Sequence, residues 1–150
     1  MKKLLRSQKG FTLIEILLVV AAIAILAGIV IVAINPAKQL GDTRNTQRRS
    51  DISALLSAST QYALDNNGVS PSGITTTPTE VCAFTGVTNC TGRVDLGVLT
   101  VNSKYITAIP RDPQTVAASG TQYYISKDVN GRITVTASTT EQGAVITLTR

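Results

Sequence analysis

The sequence contains no histidine and only two cysteines, Cys82 and Cys90. Without histidine, imidazole acid–base chemistry, the Ser/His and Cys/His nucleophile pairs and an ordinary zinc site all fall away. The carboxylates Asp42, Asp65, Glu80, Asp95, Asp112 and Asp128 are scattered, as solvated positions are. They mark no catalytic set, although spacing alone leaves open a pair made by folding. No enzyme activity, metal or cofactor is expected. Charge is also nearly missing from one long stretch, since the 24 residues from Phe11 to Ile34 carry a single formal charge, Glu15. A chain of 150 residues with such a run fits one modest domain plus an anchor.

The formal net charge of +5 suggests an anionic partner, but its placement argues otherwise. Lys2, Lys3, Arg6 and Lys9 all precede Phe11; without them, ten of the 14 Lys and Arg face nine Asp and Glu, a net charge of +1. The basicity therefore belongs to the leader. Lys38, Arg44, Arg48 and Arg49 follow the apolar run and would lie near lipid headgroups, either as a solvated helix face or in an active role. No specific nucleic-acid site is expected.

As a helix, residues 11–34 would be roughly 36 Å long, enough for a hydrocarbon core of roughly 30 Å. The basic leader places the N-terminus in the cytoplasm and residues 35–150 across the membrane. A secretory signal peptide has a shorter apolar region and a cleavage site behind it, whereas here a small residue, Gly10, stands in front. A plain retained anchor has no use for Glu15, because an ionisable group within an apolar span is costly and usually has a partner. A carboxylate about one turn inside the run could instead reach water or take up a proton.

The segment "KGFTLIEILLVVAAIAILAG" resembles the N-terminus of type IV pilins and of the related pseudopilins of type II secretion. Gly10, Phe11 and Glu15 occupy the three positions that carry the pattern. The resemblance implies cleavage between Gly10 and Phe11 by a prepilin peptidase that also N-methylates Phe11. It implies docking of Glu15 on the Phe11 amine of a neighbouring copy, and a helical homopolymer raised by an inner-membrane assembly platform with a cytoplasmic ATPase. The precursor would be a single-pass inner-membrane protein, and the product an extracellular fibre for adhesion, motility or DNA uptake. The pseudopilin alternative would end in the periplasm.

The expected fold is α+β: a cleaved leader (1–10), an apolar membrane and filament-core helix (11–34), a kink region and amphipathic helix (35–67), a loop (68–92) and a β domain (93–150). Ile52, Leu55, Leu56, Ser59, Tyr62 and Ala63 form one stripe at helical spacing, with Arg48, Arg49 and Asp51 off it, and Asn66, Asn67 and Gly68 form a stop. Pro36 and Gly41, with Gly28 behind them, place a kink or local melting near residues 32–42.

Cys82 and Cys90 are expected to pair outside the cytoplasm and staple a Thr-, Gly- and Pro-rich loop. Asn89, Cys90 and Thr91 formally match a glycan acceptor. "TQYYISK" and "RITVTAS" read as strands around a turn at Asp128–Gly131, and "GAVITLT" alternates in the same way. In "VDLGVLT" a short helix would turn Leu96 and Leu99 inward, and a strand would alternate Val94, Leu96 and Val98. "IPRDP" is similar to a Pro-x-Asp-Pro element of major pseudopilins and reads as a rigid turn with Asp112 bonding local amides. The acidic calcium loop of pseudopilins is not carried over, since Asp128 and Asn130 supply too few oxygens.

Overall fold

In a computed structural model the described residues are 10–83, 90–115 and 119–150. Most of the expected leader, residues 1–9, and part of the expected loop, residues 84–89, lie outside them. The chain divides into two units, Met1–Gln39 and Leu40–Arg150.

In the first unit Thr12 caps helix α1, Leu13–Ile34, which ends at Asn35 in the left-handed conformation with φ 49°. The cause is local. A proline disfavours helical backbone in the residue before it, and asparagine tolerates the left-handed region better than most. Pro36 then opens helix α2, Pro36–Asp65, where its missing N–H costs nothing, and Asn35 Oδ1 accepts from the Lys38 amide at 3.2 Å. The interruption thus falls on Asn35 as a capped junction between two helices. Gly28 lies inside α1 and Gly41 inside α2.

In the second unit α2 runs on to Asp65 and stops where Asn67 and Gly68 turn left-handed. The Gly68 amide there reaches the Ala63 carbonyl at 2.7 Å. Ile52, Leu55, Leu56 and Ala58 are buried in one cluster with residues of a four-stranded antiparallel sheet. The strands, in sheet order, are β1 (Thr79–Cys82), β2 (Gly120–Lys127), β3 (Ile133–Ala137) and β4 (Thr147–Thr149).

Tyr123, Ile125, Ile133, Val135 and Ala137 alternate inward along β2 and β3, as a sheet with one buried face requires. At the β2–β3 turn Asp128 Oδ1 accepts from the Asn130 and Arg132 amides, each at 2.8 Å, and Gly131 takes φ 86°.

One reading changes, and one open alternative is decided. Residues 79–82, read as loop, form β1, because its pairing partner β2 lies about forty residues downstream and four residues show no period of their own. Within "VDLGVLT" the helical alternative applies: Gly97–Leu99 is one 3-10 turn, with Leu96 and Leu99 fully buried and Val98 38% exposed. Cys82 and Cys90 are joined by a disulfide.

Leu99→Ala should lower the unfolding free energy by about 2–5 kcal/mol, the range for emptying a fully buried leucine site. Val98→Ala should move it by no more than about 0.5 kcal/mol, as at other surface positions. Urea titrations followed by circular dichroism would compare the two, and equal losses would contradict the short-helix assignment.

Candidate functional site

Helix α1 is apolar on every side and buries no residue within its own chain. Phe11 is 80% exposed, and isoleucine, leucine and valine side chains are exposed along the whole helix. Twenty-two residues span roughly 33 Å, so the helix is long and apolar enough to cross a membrane. A helix of this kind covers itself only with lipid or with other helices.

At its start the exposed, non-helical residues Gly10 and Phe11 precede the Thr12 cap, leaving the Gly10–Phe11 peptide bond outside the helix. The Glu15 amide donates to Thr12 Oγ1 at 3.3 Å, and the Thr12 amide donates to Glu15 Oε2 at 3.5 Å. This is a reciprocal capping box, built from threonine and the glutamate three residues later. The carboxylate also sits at the positive end of the helix dipole. Glu15 therefore has a role within its own chain. That role is legible in "TLIE", where the glutamate stands three residues after the threonine, and it differs from both pairing with a neighbouring copy and contact with water.

A second polar constellation lies in the unit Leu40–Arg150. Arg48 is completely buried, its Nε donating to Asp112 Oδ2 at 2.5 Å and its Nη2 to Asp112 Oδ1 at 3.1 Å. Its remaining N–H groups reach Gln114 Oε1 at 2.7 Å, Asn45 Oδ1 at 3.0 Å and Glu141 Oε2 at 3.2 Å. Arg44 pairs with the same Glu141 through two contacts at 2.5 and 2.8 Å. One turn further along α2, Asp51 is buried and accepts from the Tyr123 hydroxyl at 2.6 Å.

These positions correct the reading of α2. Arg48 and Asp51 flank the apolar stripe but face inward, because the partners that neutralise them arrive from segments more than sixty residues away. Asp112 does bond a local amide, that of Gln114, at 2.8 Å, but its carboxylate also closes the buried ion pair.

The electrostatics follow the geometry. Burial acts to raise the Asp112 carboxyl, but hydrogen bonds from Arg48, Thr139 and the Gln114 amide together hold it below the usual carboxylate range. The hydrogen bond from Arg44 holds Glu141 low, and the one to Asp112 raises Arg48. Burial, then the bond to Asp51, pushes the Tyr123 hydroxyl up. Among the described residues no group of three His, Cys, Asp or Glu is placed to hold a metal ion.

Residues 5–31 match the family model described as the prokaryotic N-terminal methylation motif. The chain carries that methylation motif. It covers Gly10, Phe11, the capping box and most of α1, and it is consistent with the type IV pilin and pseudopilin family, whose members are structural subunits. It supports a pilin-like or pseudopilin precursor, and with α1 it fits a membrane-anchored one. Comparisons with curated proteins and with solved structures gave no match.

Asp112→Asn should destabilise the fold by about 3–5 kcal/mol, because it leaves the buried Arg48 charge undercompensated. The double replacement Arg48→Met with Asp112→Leu should be less harmful than that single change. Asp112 and Glu141 have folded pKa values below their unfolded ones of about 3.9 and 4.3, so their contribution is complete above those values. It is lost as pH falls through the lowered folded values. The melting temperature by circular dichroism should therefore drop on the acid side below about pH 4, and the drop should be shallower in the double variant.

Proposed function

We propose that this chain is the structural subunit of a type IV pilus. A prepilin peptidase cuts the Gly10–Phe11 bond and N-methylates Phe11. The mature chain then leaves the inner membrane to join a helical homopolymer on a platform powered by a cytoplasmic ATPase. The observation that carries this reading is an apolar helix with no burial in its own chain, most of which lies within the methylation motif. Adhesion, motility or DNA uptake would then be work of the whole fibre.

The capping box gives the docking step a definite form. The Thr12–Glu15 bond is long at 3.5 Å and made to a neutral amide. The Phe11 amine of a neighbouring copy would offer a shorter bond in which both donor and acceptor are charged. Joining the fibre thus exchanges one partner of Glu15 for a better one, and only an axial offset that brings the two groups together gains from it. The secretion pseudopilin is the second reading, favoured by "IPRDP". Long fibres sheared from native cells support the pilus, and short periplasmic structures support the pseudopilus.

In sheared fibres, mass analysis should find the main band starting at methylated Phe11, and an intact leader would refute processing. Gly10 replaced by a bulky residue should leave an uncut, heavier precursor. Glu15→Ala should be cleaved normally while fibre yield falls. Glu15→Gln keeps an oxygen acceptor for the cap but loses the charge, so it too should assemble poorly. Wild-type fibre yield from Glu15→Gln would reduce the residue to a helix cap.

A further inference from the structure

Between the last turn of α2 and the turns at residues 97–103 lies an open cleft of about 520 Å³, which the assembly reading does not use. Ligand sites usually hold roughly 300–1,000 Å³. Its apolar side is made by Val98, Val101 and two half-buried tyrosines, Tyr62 and Tyr105, whose rings meet edge to face with centroids 5.6 Å apart.

Its polar side centres on Asp65 and Lys104, whose ammonium lies 2.6 Å from Asp65 Oδ2 and 4.7 Å from the centre of the Tyr105 ring. The Tyr105 hydroxyl donates to the same carboxylate at 2.9 Å. Asn102 lines the rim at φ 53° and Ser103 follows at φ 52°, two successive non-glycine residues in left-handed backbone. Such strain persists only where the surroundings impose it.

The paired charges cancel, so the cleft does not draw an ion. An anion would face Asp65, and a cation would face Lys104. The pair still has capacity in both directions, since a carboxylate offers about four acceptor sites and an ammonium three donors. A purely apolar guest would leave those groups unmatched. A hydroxyl donates and accepts at once, and a sugar ring carries several hydroxyls around an apolar C–H face.

We infer that this cleft binds one ring of an uncharged sugar, its C–H face on the tyrosines and valines and its hydroxyls on Asp65, Lys104 and Asn102. The inference goes beyond the filament reading and does not rest on it.

The test uses the full chain in micelles of a detergent without a sugar headgroup. Saturation-transfer NMR would be recorded with the methyl pyranosides of glucose, galactose and mannose, with glucuronate and glucosamine as charged comparisons. At least one neutral pyranoside should bind in the millimolar range, with saturation concentrated on the C–H protons of one face. The charged sugars should bind about tenfold more weakly.

Val101 is 58% exposed, so Val101→Glu should fold normally while it narrows the cleft and unbalances its charge, weakening binding about tenfold. Asn102→Gly, which keeps the backbone conformation, should weaken it less. Absence of saturation with every neutral pyranoside would overturn the inference. So would a preference for a charged sugar, or binding unchanged in Val101→Glu.

Discussion

Everything in this chain is subordinate to the fact that α1 has nothing of its own to pack against. Fully burying one leucine, isoleucine or valine is worth about 1.5–3 kcal/mol, and α1 presents more than a dozen such side chains to its surroundings. The total, tens of kcal/mol, forces the helix out of water. It does not choose between lipid and a bundle of like helices, because lipid tails are as apolar as leucine and the hydrophobic effect is spent equally in both. The choice falls to packing and to polar terms worth a few kcal/mol. In a helix whose other side chains are uncharged, Glu15 is the residue able to supply such a term.

The second unit resolves a different problem, which is how to fix a long helix against a small sheet. The apolar stripe of α2 supplies burial but little registry, since neighbouring turns offer similar side chains. Arg48 removes the ambiguity. Its planar fork meets Asp112 in two bonds, while Asn45, Gln114 and Glu141 take its other donors, and a shift of one turn would strand both charges in the interior. Such a pair adds little net stability over an apolar filling and more to the uniqueness of the arrangement. The tight approach at Gly41, where an added methyl carbon would lie 2.7 Å from Gln142 Nε2, holds the same turn of chain, residues 141–142, against the same helix.

Legibility in the sequence tracks the range of the interaction. The α+β class, the apolar helix, the Gly10–Phe11–Glu15 pattern, the stripe from Ile52 to Ser59 and the strands around Asp128–Gly131 all rest on contacts between near neighbours or on a regular period, and all could be read in advance. Strand β1 is only four residues long and is defined by β2, so nothing within it announces a strand. The inward turn of Arg48 and Asp51 depends on Asp112 and Tyr123, and a charge beside an apolar stripe reads as solvated until its partner is known. The helix junction falls within residues 32–42, where Pro36 places it, but the conformational change itself resides in Asn35, the residue that the proline constrains.

The capping box changes what kind of switch Glu15 can be. An orphaned carboxylate at the edge of an apolar run would destabilise the free precursor and drive indiscriminate pairing with any available cation. Glu15 is instead held by the Thr12 amide at the positive end of its own helix, so its carboxylate has a partner within the free chain. What a neighbour must offer is then more than relief from a buried charge: it must be a donor better than a 3.5 Å bond to a neutral amide. A backbone N–H cannot surpass that bond by much, whereas a free N-terminal amine adds a full charge. Under the proposed processing, such an amine would exist at Phe11 only after the leader is removed. On the proposed assembly, cleavage and docking would be ordered by the strength of two hydrogen bonds, since an unprocessed copy would lack the group that displaces the cap.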